Sequence, residues 1–270
     1  MMKHYPVYAN PYADIEAGRD TALKLHLVGL GASEFSKHVP SFSPFVAKLD
    51  AYFRLFDIPH EIVAEPVPDV GPRGKVPFVS VGNTRLADSD LIVGYLKRTH
   101  GDPDAALTPA QQAVGHLVQR TLEDHLYWVI IYYEFFDENG WDFILKAMVG
   151  DPTALPQEIQ DALAERREDF RKRCYDQGVA RFTPAEIVEK AGKDLDAISR
   201  ILADNRYLLG TDRPTSFDAV LFGFTLAIFQ ARGMHPELTD HARSIPNLGR
   251  YMQHMLETYY PELERAFQPA

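Results

Sequence analysis

The first sixty residues combine one alternating run with one amphipathic segment. Residues 23–30 alternate apolar and polar side chains before becoming apolar, which is typical of a strand buried on at least one face. Ser43 and Pro44 then form a favourable helix start, because serine caps helices well and proline is tolerated at the first helical position. The apolar residues that follow recur at helical spacing, namely Phe45, Leu49, Tyr52, Phe53 and Phe56. The pattern predicts a strand followed by a helix that is buried along one face.

The next forty residues predict further short strands and a second helix. Residues 60–64 favour a strand, and residues 78–81 and 84–87 predict a hairpin closed by Gly82 and Asn83. Residues 91–99 predict a helix that follows an Asp-Ser-Asp cap. The predicted order is β-α-β-β-β-α, with room for a short helix before the hairpin.

Helical periodicity dominates the chain after residue 100. A long helix is expected from Thr108 and Pro109 to about Asn139 and Gly140, followed by a charged segment at 157–176. A further helix is expected from about Phe182 to residue 205. Thr215 and Asp218 form a capping-box variant that leads into an apolar helix at 219–230. This half of the chain therefore predicts an all-helical unit.

Composition and charge narrow the possible functions. The 270 residues, 46% of them hydrophobic, suit one large domain or two, and a formal charge of −10 argues against a nucleic-acid binder. One cysteine, Cys174, permits no intrachain disulfide. The most apolar stretch, 219–229, is shorter than the roughly 20 residues of a membrane span, and residues 1–20 lack the apolar core of a secretory signal. These patterns predict a cytoplasmic protein without a membrane span.

Three separated segments resemble the glutathione transferase superfamily. Residues 43–49 resemble the Cys-Pro-Phe helix start of the omega class, with Ser43 in the cysteine position. Residues 74–78 and 86–96 resemble the Lys-Val-Pro and Glu-Ser segments of the superfamily, and residues 209–218 resemble its later capping box. The resemblance implies a thioredoxin-like α/β domain at 20–100, an all-helical domain at 106–265, and an N-terminal extension at 1–19.

A narrower resemblance points to the Fax/metaxin-like branch, the homologues of failed axon connections. It is based on residues 41–45, 58–60 and 122–128. That branch often has cysteine after Ser-Pro-Phe, where this chain has Val46, so no role for that thiol carries over.

The resemblance implies that glutathione is the co-substrate and that its thiol must be ionised. A free thiol has a pKa of about 8.5, and lowering it by two units requires about 2.7 kcal/mol. A hydroxyl hydrogen bond to a charged sulfur contributes about 1.5–3 kcal/mol. A helix N-terminus adds about 0.3–1 kcal/mol. Ser43 is positioned to supply both, so we expect it to be the catalytic residue, with Ser41 and Tyr52 as alternative donors and a purely structural cap as the other reading.

The remaining glutathione contacts are inferred from the same resemblance. Pro77 is expected to follow a cis peptide bond, so that the main chain of Val76 pairs with the extended tripeptide as an added strand does. Ser89 and the neighbouring Asp88 are expected to hold the γ-glutamyl group at a helix start. Lys75, with Arg73 as the alternative, would pair with the glycine carboxylate. The alternatives are that Val76 and Pro77 form only a turn, that Asp88 and Ser89 only cap the helix, and that Lys75 is only a solvated charge.

A small hydrophobic electrophile would need an apolar wall. The predicted long helix carries an aromatic stripe of His125, Tyr127, Trp128, Tyr132 and Tyr133. From it we select His125, Trp128 and Tyr132 as second-substrate residues. The spacing of seven between His125 and Tyr132 places both on one face of a regular helix. Aromatic residues at helical spacing are also typical of a core, so the stripe alone does not decide between the two roles.

The opposing interpretation is a non-catalytic module for protein association. It is based on the metaxin-like branch, whose proteins resemble import or adhesion components. The long loop at 31–42 and the insert at 141–181 favour it, because both depart from the superfamily pattern. The intact Val-Pro and Asp-Ser segments favour a detoxifying enzyme instead. The sequence contains no spacing typical of metal ligands, so no metal site is expected. Cys174 is expected to be an incidental exposed thiol. The resemblance also allows a homodimer.

Overall fold

The computed structural model describes residues 22–28, 41–65 and 70–263. The predicted extension at 1–19, residues 29–30 of the first predicted strand and nearly all of the 31–42 loop lie outside the described residues. Residues 264–265 of the predicted helical domain also lie outside them.

The first domain contains four strands and two helices in the predicted order. Its elements are β1 (Leu23–Val28), α1 (Pro44–Leu55), β2 (His60–Glu65), β3 (Phe78–Val81), β4 (Thr84–Ala87) and α2 (Ser89–His100). The room predicted for a short helix before the hairpin includes residues 66–69, which lie outside the described residues. In the described part, Val70 is 3₁₀-helical and residues 71–74 form a turn closed by a hydrogen bond from the Gly74 amide to the Gly71 carbonyl at 2.8 Å.

The four strands form one mixed sheet in the order β2-β1-β3-β4. β1 pairs with β2 in parallel, while β1 with β3 and β3 with β4 pair antiparallel. Leu23, Leu25 and Leu27 are buried on one face of β1, as the alternating pattern predicts. This is the expected thioredoxin-like α/β architecture.

The second domain is all helical, as predicted. Its helices are α3 (Pro109–Arg120), α4 (Tyr127–Ile131), α5 (Glu138–Val149), α6 (Gln157–Gln177), α7 (Pro184–Leu202), α8 (Ser216–Gln230), α9 (Pro236–Ser244) and α10 (Pro246–Tyr259). The capping box predicted for Thr215 and Asp218 is present, with the Thr215 amide 2.8 Å from Asp218 Oδ2. The apolar helix it starts, α8, is almost entirely buried.

The predicted long helix is continuous but ends earlier than expected. We call it the long helix: it consists of α3, a π-helical segment Thr121–Leu126, α4, and a second π-helical segment Tyr132–Phe136. Its end was predicted at Asn139 and Gly140, but Asp137 leaves the helical conformation and caps α5. Gly140 lies inside α5, where a Cβ would stand 1.9 Å from the Tyr133 carbonyl oxygen. The glycine therefore permits close packing and does not end a helix.

The two domains meet where α1 crosses α8. A Cβ on Gly223 of α8 would lie 2.5 Å from the amide nitrogen of Lys48 and 2.9 Å from the Pro44 carbonyl oxygen. Only glycine allows the two helix backbones to approach this closely. The contact fixes the first turn of α1 against the buried helix of the second domain.

The insert predicted at 141–181 contains most of α5 and all of α6. The charged segment forms a helix of 21 residues in which Cys174 is the only buried residue. Cys174 was expected to be an exposed thiol, and the structure corrects this because its side chain packs inward from α6. Burial, and then the nearby Glu134 carboxylate, raises the pKa of this thiol to about 12, so it is chemically quiet at neutral pH.

Candidate functional site

One edge of the sheet brings together the segments that the sequence singled out. His26, near the end of β1, is opposite Phe78 at the start of β3, and Phe78 is opposite Ala87 at the end of β4. Residues 76–77 immediately precede β3 and residues 88–89 immediately follow β4. Lys48, one turn into α1, donates to Ser89 Oγ at 3.0 Å, which places the start of α1 beside the start of α2.

Ser43 is the N-cap of α1, as predicted. Its Oγ accepts a hydrogen bond from the Val46 amide at 3.4 Å, a long and therefore weak cap. The side chain is half-buried, and the described residues offer no acceptor for its hydroxyl proton. A serine hydroxyl both accepts and donates, so this group can cap the helix and donate to a ligand atom at the same time.

The two alternative donors are placed less favourably. Ser41 is buried, its Oγ accepts from the Ser43 amide at 3.1 Å, and its carbonyl accepts from Gln230 Nε2 at 3.2 Å. Tyr52 lies in the core on the inner face of α1, where burial raises the pKa of its phenol. Ser41 thus supports the main chain of Ser43, whereas Tyr52 packs against Phe56 within the core.

The Val76–Pro77 peptide bond is cis, as expected from the resemblance. Within the described residues no hydrogen bond engages the main chain of Val76, although Pro77 is buried and Phe78 begins β3. The edge therefore leaves one main-chain donor and one main-chain acceptor available to an added strand.

Lys75 lies next to the cis bond and also faces α6. Although the residue as a whole is exposed, partial burial of its ammonium group, followed by repulsion from Arg173, lowers its pKa. Asp169 opposes this shift and forms an ion pair with Arg173 at 2.6 Å. Helix α6 thus adds a second cation beside Lys75, a feature that the sequence did not predict.

The start of α2 holds Asp88 and Ser89 in different environments. Asp88 adopts a φ of 78° and caps the helix, its Oδ1 accepting from the amides of Asp90 at 3.1 Å and Leu91 at 3.3 Å. Ser89 is buried, and its Oγ accepts from Lys48 Nζ. The Ser89 hydroxyl retains its proton, so it can accept from Lys48 and still donate to a carboxylate, as the predicted contact requires.

A buried polar network that sequence analysis missed lies directly under this helix start. The Lys48 side chain is 2% exposed, and its Nζ lies 2.6 Å from both Asp90 Oδ1 and Glu123 Oε1. Arg120 contacts the same two carboxylates from the long helix. Burial raises the pKa of Glu123, and Lys48 partly offsets this. The sequence contained one signal of this network, because Lys48 lies on the apolar face of α1, four residues before Tyr52.

The aromatic stripe of the long helix does not present the residues that the spacing suggested. His125 pairs through Nδ1 with Asp194 of α7, and it lines a cavity of about 210 Å³ whose other walls belong to the helical domain. Tyr127 is the residue of the stripe that meets the first domain, because its ring contacts Phe45 at 5.0 Å between centroids. Trp128 is half-buried and packs edge-on against Tyr127.

The π-helical segments explain this difference. Tyr132 is buried in the helical domain and packs against Tyr133 and Phe136, rather than facing the first domain beside His125. Each π-helical turn contains more residues than an α-helical turn, so residues seven apart no longer share a face. The stripe was predicted with an α-helical period that the long helix does not keep.

Within the described residues, no group of three or more His, Cys, Asp or Glu side chains is arranged to hold a metal ion. The described helices also include none with the length and apolar character of a membrane span. What the sheet edge does offer is a serine hydroxyl, free main-chain groups and a helix start, which together suit a small peptide with an anionic end and a sulfur.

Glu134 is an ionisable group buried in the second π-helical segment. It is 8% exposed, and within the described residues no hydrogen bond or ion pair engages its carboxyl group. Burial raises its pKa to about 8. Its charge also contributes to the raised pKa values of Tyr127 and Cys174, which places the three groups near one another between the long helix and α6.

We expect Glu134 to make the protein less stable as the pH rises from about 5 to 8. The folded state keeps a proton up to about pH 8, whereas the unfolded chain releases it near its ordinary value of 4.5. The free energy of unfolding should therefore fall by up to about 1.4 kcal/mol per pH unit in this window, relative to a Glu134→Gln variant. Urea denaturation of both proteins across the window measures the difference.

The exposed Glu165 of α6 supplies the matched control. A Glu165→Gln variant should follow the wild-type pH dependence. A constant difference in stability between wild type and Glu134→Gln over this window would mean that the buried carboxyl does not titrate there.

Comparison with known proteins agrees with this fold. The sequence model of the glutathione S-transferase N-terminal domain matches residues 44–140, and that of the glutathione S-transferase C-terminal domain matches residues 191–255. Residues 141–190, between the two matches, include α6. A solved glutathione S-transferase of Methylobacterium radiotolerans in complex with glutathione sulfonate is 19% identical, with a TM-score of 0.51 over 93% of this chain and 96% of that one, and so shares the fold.

Curated relatives include both a named transferase and proteins of the Fax/metaxin branch. The isoprene-epoxide–glutathione S-transferase of Rhodococcus sp. (strain AD45) is 30% identical over 231 residues, which are 82% of this chain and 94% of that protein. Failed axon connections of Drosophila melanogaster is 26% identical over 83% of this chain, but the match spans only 56% of that protein. Metaxin-2 of Homo sapiens is 22% identical over 79% of this chain and 81% of its own length. On the strength of the two domain matches and the transferase relative, this chain belongs to the glutathione S-transferase family.

Proposed function

We propose that this protein binds glutathione at the sheet edge and transfers its thiolate to a small hydrophobic electrophile. An epoxide is the first electrophile to test, because the 30% identical Rhodococcus relative is named for isoprene epoxide. Ser43 stabilises the thiolate, Val76 pairs with the cysteinyl main chain, Asp88 and Ser89 hold the γ-glutamyl end, and Lys75 holds the glycine end.

The observation that carries this proposal is the convergence at one edge. Ser43 begins α1, the cis bond precedes β3, and Ser89 begins α2, with the Lys48 bond to Ser89 joining the two helix starts. Two helix N-termini and an unengaged hydroxyl favour an anionic ligand there. Catalysis would come from ionising and orienting the sulfur.

In the proposed reaction the glutathione sulfur attacks an epoxide carbon. The C–S bond forms, the C–O bond breaks, and the ring oxygen leaves as an alkoxide that must gain a proton. Tyr127 is the candidate donor, because it is the stripe residue that contacts α1 through Phe45 and no hydrogen bond within the described residues occupies its hydroxyl. Burial raises the pKa of Tyr127, so the phenol is protonated at neutral pH.

Ser43→Gly is expected to lower kcat/KM for conjugation by about 10- to 100-fold, the value of one hydrogen bond to a charged sulfur. Glycine is a tolerable N-cap, so the free energy of unfolding should fall by only a few tenths of a kcal/mol. Ser43→Thr keeps a hydroxyl at the same position and should retain most of the rate. Steady-state kinetics with glutathione and a small epoxide, beside denaturation of each variant, makes the comparison.

Equal rates for wild type and Ser43→Gly would remove Ser43 from the mechanism. Equal losses in the threonine and glycine variants would show that packing at the helix start, rather than the hydroxyl, is what matters.

A second candidate function is protein association without catalysis, as the rival interpretation of the sequence predicts. The Fax and metaxin relatives favour it, and so does α6, a charged helix that buries only Cys174 and leaves Ile159 and Tyr175 exposed. A folded sample that gains no thermal stability from millimolar glutathione would favour this function over transfer. A homodimer and a cytoplasmic location stay predictions under either function.

A further inference from the structure

A second cleft, of about 750 Å³, lies entirely within the helical domain. Its lining residues belong to the second π-helical segment, the start of α5, the first two turns of α7, the connection between α8 and α9, and the first turn of α9. A cleft of this volume accommodates a small organic ligand. None of the residues that line it belongs to the sheet edge proposed for glutathione.

The cleft has an apolar wall and one buried polar group. Val188 and Met234 contribute apolar surface, and Tyr133 lies at the wall while only 4% exposed. No hydrogen bond within the described residues engages the Tyr133 hydroxyl, although a buried tyrosine usually has a partner. Its ring packs edge-on against His235 at 5.6 Å between centroids. Burial lowers the pKa of His235 to about 4, so that imidazole adds no positive charge at neutral pH.

The charge on the cleft wall is negative. Asp137 and Glu237 line it, and no lysine, arginine or histidine is among the lining residues. One oxygen of Asp137 accepts the Gly140 amide at 2.8 Å, and within the described residues neither carboxylate has an ion-pair partner. Glu237 lies near enough to Tyr133 to contribute to the raised pKa of that phenol. An uncompensated pair of carboxylates attracts a cation.

Three helix N-termini also open toward this cleft and, taken alone, would favour an anion. Their partial charges are already opposed. Asp137 caps α5, and Thr183 and Glu186 form a complete capping box on α7. Glu237 lies in the first turn of α9. Each helix N-terminus carries about half a unit of positive charge, whereas Asp137, Glu186 and Glu237 each carry a full negative charge, so the negative charge prevails.

We propose that this cleft binds an organic ammonium ion with an apolar body. The ammonium group pairs with Glu237 and Asp137, the apolar body packs on Val188 and Met234, and the Tyr133 hydroxyl is available to an acceptor or donor on the ligand. The site is independent of the proposed transfer reaction, since the two share no residue.

Three phenyl compounds of similar size and different charge test the proposal: phenethylamine as the cation, 2-phenylethanol as the neutral compound and 3-phenylpropionate as the anion. Isothermal titration of the full chain, with the sheet edge saturated by S-hexylglutathione, measures binding to the helical domain. The cation should bind about tenfold more tightly than the neutral compound, and added salt should weaken it.

Paired variants connect this preference to the carboxylates. Glu237→Gln removes one charge, and Asp137→Asn removes the other while asparagine still caps α5. Each should weaken phenethylamine binding by about threefold or more without changing 2-phenylethanol binding. Circular dichroism confirms that the variants fold, and Glu165→Gln on exposed α6 should bind phenethylamine as wild type does.

Several results would overturn the proposal. Equal affinity for the cation and the neutral compound would remove the role of charge, and tighter binding of the anion would mean that the helix termini dominate. Unchanged phenethylamine affinity in both Glu237→Gln and Asp137→Asn would place its site elsewhere. Absence of binding at millimolar concentration would leave the cleft without this function. If the protein binds phenethylamine but not glutathione, the proposed transfer function is refuted while the ammonium site in the cleft stands.

Discussion

Replacing Lys48 by methionine is expected to lower the free energy of unfolding by about 3 kcal/mol. The lysine ammonium lies 2.6 Å from Glu123 Oε1, and the Glu123 side chain is only 5% exposed. Removing one partner of a buried ion pair leaves the other charge without compensation, which typically costs about 3–5 kcal/mol. The lower value is expected because Arg120 also contacts Glu123. Urea denaturation at neutral pH measures the loss.

Two further variants test the reason for this loss. Adding Glu123→Gln to Lys48→Met should recover part of the stability, because it removes the uncompensated charge. Lys193→Met, which breaks an exposed ion pair with Glu189, should change stability by less than about 1 kcal/mol. The Lys48→Met deficit should also shrink in acid, since burial raises the pKa of Glu123 and protonation neutralises it. Equal losses at the two lysines would contradict the proposed role of the buried network.

Gly223→Ala is expected to destabilise the protein by about 2–3 kcal/mol through overpacking. The new Cβ would stand 2.5 Å from the Lys48 nitrogen and 2.8 Å from its Cα, both main-chain atoms that cannot rotate away. Helix α1 must therefore shift relative to α8, which also displaces Ser43 at its first turn. We expect weaker glutathione binding in the fraction that remains folded, measured by titration calorimetry beside thermal denaturation.

Gly249 supplies a matched control for that substitution. It lies inside α10, and a Cβ there would have no neighbour within 4 Å. Gly249→Ala should stabilise the protein by up to about 1 kcal/mol, because alanine favours the helix without a clash. A stabilising effect of alanine at both glycines would mean that the α1–α8 contact is looser than described.

Local signals in the sequence predicted most of the fold. Ser43 before Pro44, and Thr215 three residues before Asp218, predicted two helix starts because capping depends on neighbouring residues. The end of the long helix was misplaced, since Gly140 was interpreted as a helix end while its role is close packing against the Tyr133 carbonyl. Such packing involves tertiary neighbours that a local pattern does not contain.

The candidate site was only partly predictable for the same reason. The cis bond at Pro77 followed from the resemblance, and the serine cap at Ser43 followed from the chain itself. The partners of Lys48 could not be predicted, because they lie 41 to 75 residues away along the chain. Tyr127 was passed over because the π-helical segments change which residues of the long helix face α1.

The pKa of the glutathione thiol bound to this protein tests the role of Ser43 most directly. Thiolate absorbance in the ultraviolet, followed against pH for wild type, Ser43→Gly and Ser43→Thr, gives three values. We predict that the wild-type and threonine proteins hold the thiol pKa at least about one unit below that in the glycine variant, and below the free value of about 8.5. Identical values in all three proteins, or a folded wild type that binds no glutathione, would contradict the account.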